Sequence, residues 1–478
     1  MHSRHHSPGL PAAATIRSPL LLLLSVAQLM VILDISAVNV ALPKLAADLG
    51  IGRADIGWTI TSYSLIFGSL LLFGGRAADL LGRQHVFLAG LGVFTASSLV
   101  TALAGDAAVL FAARAGQGLG AAMLSPAALS IITTSFHGPE RARALGVWGA
   151  VGGAGAAIGV LLGGALTELV DWRAIFFINL PIGALVGAAA MHIVPADTAR
   201  PRWQGLDLRG ALVATASLGA LVYSLSQAET AGWTSMKTVG IGAAAIIGLA
   251  AFAALELRTE QPLLRVQRLA DRAIGGGFVM MLVASAVLFG SFLLSSLYLQ
   301  RVLGAGALET GLAFLPFAAA IAVGVHVATH LITRAGVRLP LAAGFAVTAA
   351  GMLLLSGVGE HGSYLADVLP GMVIAGLGLG TVLVAVAVSV LTGARDEETG
   401  MLSGLNTTGH EVGGSLGIAI LATIATSALG GAAADGVADA YLAAAAIAAG
   451  ASLVALVILP SAKVFLPKLA LAPPVAVH

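Results

Sequence analysis

Asp34, Arg114 and Glu411 each stand inside a long apolar run. An ionised side chain at the centre of a bilayer costs roughly 3 kcal/mol to insert, so each needs a partner, a wet cavity or a function. Asp34 lies nine residues before Pro43, and Arg114 lies eight residues after Asp106. Counted from the same face at 1.5 Å per residue, both are about 13 Å deep. The expectation is a direct or water-bridged contact in which Arg114 holds Asp34 in its charged form. A static pair that only neutralises two buried charges fits the same spacing. Glu411 points about 200° away from Gly409 around its helix, which suits a proton-carrying carboxylate or a contact for a cationic substrate. Its neighbour His410 can titrate near neutral pH, or simply pack as a polar residue. Trp58, Tyr63 and Trp148 offer ring faces to a flat or cationic ligand, or act only as anchors and packing. His326 and His330 have the i,i+4 spacing of metal ligands, but no third ligand accompanies them, so burial near a helix end is expected and no metal.

The elements that must position these groups are membrane helices. The 478 residues are 58% hydrophobic and 10% charged, whereas a soluble domain carries roughly a quarter charged residues. Such a chain cannot cover itself with a water-compatible surface. Cysteine is absent, which removes disulfides, thiolate metal sites and cysteine nucleophiles. Apolar runs of spanning length fall near 19–42, 55–75, 85–104, 107–131, 144–167, 174–194, 208–226, 237–257, 273–299, 309–332, 339–358, 364–391, 402–427 and 439–459, fourteen in all. The first is too long for a signal peptide and is expected to stay as a span. With the amino terminus inside, eighteen of the 24 Lys and Arg residues fall on the cytoplasmic side. Lys44, Arg53, Arg173, Lys237 and Arg301 fall outside, and Arg114 within the membrane. Both termini are then cytoplasmic, and the His-rich and Pro-rich tails are expected to be disordered.

Glycines recur at an offset of 254 residues: Gly82 and Gly90 match Gly336 and Gly344, and Gly155, Gly159 and Gly163 match Gly409, Gly413 and Gly417. This fits two six-span halves related by duplication, with spans 7 and 8 inserted between them. Transporters built this way hold substrate near the midplane, between repeats that rock against each other. The spaced glycines allow close helix packing, or provide a smooth surface on which one bundle slides. The expected organisation is a tail (1–18), an N-terminal six-helix bundle (19–194), an inserted two-helix linker (195–257), a C-terminal six-helix bundle (258–462) and a second tail (463–478).

Several motif matches carry no chemistry. Gly413-Gly-Ser415-Leu-Gly417 fits a hydrolase nucleophile pattern but sits in an apolar helix, not on a strand-to-helix turn. No phosphate-binding loop precedes any of the four lysines. Gly116-Gln-Gly-Leu-Gly120 follows no strand, so it is no dinucleotide loop.

Gly75 to Gln84 form a charged island between two apolar runs, as a brief loop between neighbouring helices would. Gly82 permits a tight backbone there, and Asp79 and Arg83 are spaced for an ion pair on one turn. The island resembles the Gly-x-Leu-Ala-Asp-Arg-x-Gly-Arg-Lys signature between the second and third helices of the major facilitator superfamily. Gly75, Ala78, Asp79, Gly82 and Arg83 match; Ala77, Leu80 and Gln84 depart, and Thr333 takes the place of Asp79 in the second half. Leu33 to Pro43 is similar to the Leu-Asp-x-Thr-Ile-Val-Asn-Val-Ala-Leu-Pro signature of the fourteen-span drug:proton antiporters, the EmrB/QacA-like family, with Ser36 and Ala37 departing. Arg114-Ala-Gly-Gln-Gly118, Trp172-Arg-Ala-Ile-Phe-Phe-Ile-Asn-Leu-Pro-Ile-Gly183 and Ser403-Gly-Leu-Asn-Thr407 are further pieces like that family's. Val160 stands where the family's fifth span usually has proline, so that span is expected to be straighter.

The resemblance implies an all-α membrane protein of the major facilitator fold, with two six-helix bundles plus two inserted helices, 14 transmembrane helices in total. It implies no enzyme but a proton-coupled exporter of amphipathic drugs, antiseptics or antibiotics, monomeric in the bacterial cytoplasmic membrane. It would use the proton gradient and no cofactor; its partners are a small-molecule substrate, protons and lipid, with no nucleic acid. Asp34, Arg114 and Glu411 are the expected proton-coupling residues. Asp34, Trp58, Tyr63, Gln117, Trp148, His410 and Glu411 are the expected substrate contacts. Gly75, Asp79, Gly82, Arg83, Gly155, Gly159 and Gly163 are the expected gating residues. A proton-coupled importer of the same fold and a non-transport membrane enzyme or scaffold are the alternatives.

Overall fold

A computed structural model describes residues 13–52, 58–197, 207–260, 262–392, 394–395, 398–427 and 433–470. The first twelve residues, Arg53, the linker stretch 198–206 and the Pro-rich end lie outside them. The described residues contain helices and no strand, as a chain must when lipid leaves its backbone no external hydrogen-bond partner. The helices are α1 (Ala13–Asp48), α2 (Trp58–Leu81), α3 (Arg83–Ala102), α4 (Ala107–Ser135), α5 (Gly138–Leu169), α6 (Ala174–Phe177), α7 (Asn179–Ile193), α8 (Leu208–Ala231), α9 (Met236–Glu256), α10 (Ile274–Leu297), α11 (Ala307–Ala313), α12 (Leu315–Ala335), α13 (Arg338–Leu355), α14 (Leu369–Leu391), α15 (Thr399–Ser427), α16 (Ala433–Ile458) and α17 (Ala462–Ala470). Among the described residues a helix occupies each expected apolar run, and eleven helical segments are long and apolar enough to cross a membrane. Three further long helices, α5, α8 and α15, complete the set, with the apolar segments Ile158–Leu169 in α5 and Arg209–Leu225 in α8.

Helices α1–α7 pack among themselves through α1 on α5 and α4 between α2 and α3, and α10–α16 do so through α10 on α15 and α14 between α12 and α13. The two sets meet where α2 crosses α15 and α5 crosses α12. The inserted α8 and α9 pair with each other, and α8 lies against both α2 and α15, along one of those crossings.

The glycine repeat is visible in the backbone. Gly82 (φ 104°) and Gly336 (φ 67°) both adopt the left-handed conformation that opens α3 and α13, and Gly50 (φ 63°) and Gly304 (φ 69°) share it at the same offset. The glycine rows, however, do not face the opposite helix set. Gly155, Gly159 and Gly163 pack on Ile32, Ser36 and Ala37 of α1, and Gly409, Gly413 and Gly417 on Phe278, Leu282 and Ala286 of α10. The sliding surface is thereby corrected: small residues here bring helices of one set together, because each long partner stays on the same side of the crossing.

The charged island is also not a loop. Residues 75–81 complete α2, Gly82 alone makes the turn, and α3 begins at Arg83. Helix continues because Asp79 and Arg83 find partners outside it, described below. Farther back, α5 runs without a break past Val160, which is buried. In α4, Pro126 denies the Ala122 carbonyl its helical donor, and Gly74 of α2 approaches that carbonyl so closely that any Cβ would overlap it.

At the end of α1 opposite the α2–α3 turn, Asp48 accepts hydrogen bonds from Arg173 (2.6 Å) and Trp172 (3.2 Å). Those two bonds, Arg173's first, hold its carboxyl below the ordinary carboxylate range. A lowered pKa stabilises the fold above the unfolded value and ceases to do so as pH falls through the folded one. The stability difference between wild type and Asp48→Asn, read as melting temperature in detergent, should be small at neutral pH and vanish below about pH 4. Packing gives a sharper expectation. Gly417→Val should lower the melting temperature by an amount corresponding to about 1–3 kcal/mol, since its Cβ would collide with the Ala286 backbone, whereas Gly450→Ala, with open space around it, should not.

Candidate functional site

Asp34 sits at the centre of a buried polar cluster contributed by α1, α2, α3, α4 and α7. Its Oδ2 pairs directly with the Arg114 guanidinium. Its Oδ1 accepts from Gln117 Nε2 (2.8 Å) and Asn179 Nδ2 (3.1 Å). Both amides also donate to the Ser98 hydroxyl, at 2.8 and 3.2 Å. The same Arg114 Nη1 also donates to the Gln117 side-chain oxygen (2.8 Å), and its Nε donates to the Thr59 carbonyl (3.1 Å). Its guanidinium carbon lies 4.5 Å from the centre of the Tyr63 ring. Asp34, Arg114 and Tyr63 are each 1% exposed. A buried ion pair survives only when further hydrogen bonds support it, and here Asp34 Oδ1 and Arg114 Nε and Nη1 each have at least one. A neutral residue in place of Asp34 would leave Arg114 an uncompensated buried charge.

Glu411 and His410 lie on α15, outside this cluster, with Nδ1···Oε1 at 3.2 Å and side chains 23% and 24% exposed. The His410 ring meets the Phe289 edge at 5.1 Å. Glu411 is within electrostatic reach of Tyr63, so the two ionisable sites flank one region of the α2–α15 crossing. Trp58 goes elsewhere: it stacks on Tyr223 of α8 at 6.2 Å, half-exposed, because the inserted pair docks against that face of α2. Trp148 is partly buried against the main core. His326 and His330 are exposed rather than buried, their rings 4.6 Å apart. Helix α12 turns that face outward, which corrects the expected burial.

The α2–α3 turn forms a second site. Asp79 accepts from the backbone N–H groups of Gly400 (2.8 Å) and Met401 (2.9 Å), so it caps the start of α15. Arg83 is 3.6 Å from Asp79 and donates to Ser130 (2.8 Å) and Thr399 (3.3 Å). Gly75 and Gly400 touch backbone to backbone, with no room for a Cβ on either. Glu398, beside the same helix start, is held by Arg265 (2.8 Å) and Arg268 (2.7 Å). On the other crossing, Arg141 of α5 donates to the Leu391 carbonyl that ends α14. An anion thus meets the positive end of one helix and a cation the negative end of its neighbour.

A model of the Major Facilitator Superfamily matches residues 24–418. The chain belongs to that superfamily. It is 40% identical over 412 residues to the puromycin resistance protein pur8 of Streptomyces alboniger, covering 85% of this chain and 82% of that one. It is 39% identical over 420 residues to the cephamycin export protein CmcT of Amycolatopsis lactamdurans, covering 87% and 86%. Among solved structures it is similar in fold to the human organic anion transporter MFSD10, with a TM-score of 0.68, 15% identity, and coverage of 93% of this chain and 100% of that one.

In this superfamily member, sequence reasoning brought Asp34, Arg114, Gln117 and Tyr63 to one place. It missed Asn179, Ser98 and Thr59. Asn179 was visible as a polar residue inside an apolar run; the Thr59 contact is a backbone carbonyl and leaves no side-chain pattern. The Arg141 contact was missed for the same reason. Loss of the Asp79 cap should favour separation of α2 from α15 by about 1–2 kcal/mol, a factor of roughly 5–30 in population. Because the chain has no native cysteine, a Ser403→Cys probe on the buried face of α15 reports this cleanly. Its maleimide labelling in detergent should rise several-fold when Asp79→Ala is added.

Proposed function

We propose that the chain is a proton-coupled exporter of amphipathic small molecules, with fourteen spans arranged as two six-helix bundles and an inserted pair. The observation that carries this reading is the buried Asp34–Arg114 pair, one proton away from losing its balance. Relatives named for puromycin resistance and cephamycin export support outward transport of antibiotic-like compounds. The helix-end contacts of Asp79 and Arg141 close the end that carries the α2–α3 turn, taken as cytoplasmic from the distribution of positive charge.

Asp34 is the proton carrier in this scheme. Protonation from outside removes its charge and frees Arg114, which shifts α1 against α4 and biases the equilibrium toward the state open to the cytoplasm. Substrate binds against the α2–α15 crossing, with Glu411 offering negative charge to a cationic group, His410 orienting that carboxylate and Phe289 presenting a ring face. Release of the proton inside restores the ion pair and closes the cytoplasmic end.

Everted vesicles test both the direction and the acid. Adding puromycin to the exposed cytoplasmic face should discharge an imposed proton gradient in wild type, and an importer would not respond. Asp34→Asn should abolish that response when vesicles are matched for the amount of folded protein. Undiminished drug resistance in cells carrying Asp34→Asn would remove Asp34 from the mechanism.

A further inference from the structure

A lateral window lies between α5 and α12. The two helices touch near the α2–α3 end, where Gly146 meets Val325 and Thr329, and α5 meets α11 at the other end, where Gly311 lies on Leu161. Alongside these contacts runs a cavity of about 510 Å³, lined on α5 from Arg143 to Ile158, on α12 from Ala322 to Thr329, and by Leu29 of α1. Its walls are almost wholly apolar, formed by residues such as Ala150, Val151, Ile158 and Ala322. The surface beside it presents exposed Val147, Leu162, Val323 and Val327, which face lipid in a membrane protein. Two basic side chains line it, Arg143 and His326. Arg143 is exposed and has no ionic or hydrogen-bonding partner among the described residues. Its neighbour Arg141, by contrast, is buried and occupied at the end of α14.

We propose that this window holds one anionic phospholipid from the leaflet on the α2–α3 side, with its phosphate on Arg143 and an acyl chain between α5 and α12. The dimensions agree. From Arg143 to Ile158 is fifteen residues, or roughly 22 Å of helix. One leaflet with its headgroups is about 20–22 Å thick. The charge agrees as well, because a basic pocket between membrane helices recruits anionic headgroups. A lipid seated there occupies the seam along which the two helix sets meet, so its presence opposes closure of α5 onto α12.

Native mass spectrometry of the delipidated full chain, titrated with an equal mixture of phosphatidylglycerol and phosphatidylcholine, provides the test. Wild type should retain one phosphatidylglycerol with about fivefold preference. Arg143→Ala should bring the two lipids to parity, and Arg143→Lys should keep most of the preference. Ala150→Trp, which fills the window and leaves Arg143 in place, should lose the bound lipid altogether. An unchanged ratio in Arg143→Ala, or a lipid still bound to Ala150→Trp, would overturn the assignment. So would displacement by millimolar inorganic phosphate, which would mean that Arg143 binds a free anion and the window no chain. The ratio is read within one sample of folded protein and does not depend on transport, so it stands or falls apart from the exporter reading.

Discussion

A carboxylate and a guanidinium taken out of water must satisfy each other, and the Asp34–Arg114 pair organises the helices around it for that reason. Removing one partner of such a pair leaves a buried charge at a cost of about 3–5 kcal/mol. Four surrounding helices contribute to avoiding that: α4 with Gln117, α7 with Asn179, α3 with Ser98 and α2 with the Thr59 carbonyl. The packing of α1–α7 is therefore not only apolar. It is keyed to a charge state, which apolar contacts alone cannot be.

The two partners of this pair sit on helices that lead to the two contacts closing one end of the molecule. Asp34 is on α1, whose Ile32 and Ser36 carry the glycine row of α5, and α5 begins near Arg141 and the end of α14. Arg114 grips the first turn of α2, whose last turns carry Asp79 and the start of α15. Close glycine packing leaves no space between α1 and α5. In the proposed cycle the glycine rows carry displacement within a helix set, and the polar helix-end contacts are where the sets part. This spatial order supplies the route that the proposed function requires.

Much of this was legible because membrane insertion simplifies the code. Charges in apolar runs are few, so Asp34 and Arg114 could be matched by depth alone. The tight backbone at Gly82 and its recurrence at Gly336 were legible in the glycine spacing, though the reduction of the first turn to one residue was not. What stayed hidden depends on tertiary docking or on backbone acceptors. Nothing local tells that Trp58 would stack on the inserted helix, or that Arg141 would reach a carbonyl 250 residues away. The charged island misled for a physical reason: polar residues read as loop, yet Asp79 stays helical because its carboxylate finds donors on another helix.

Infrared difference spectroscopy of the purified protein between high and low pH tests the central claim most directly. A protonated-carboxyl band should appear on acidification in wild type and in Glu411→Gln, and be missing in Asp34→Asn. The same band persisting undiminished in Asp34→Asn would show that the proton resides elsewhere, and would contradict the account.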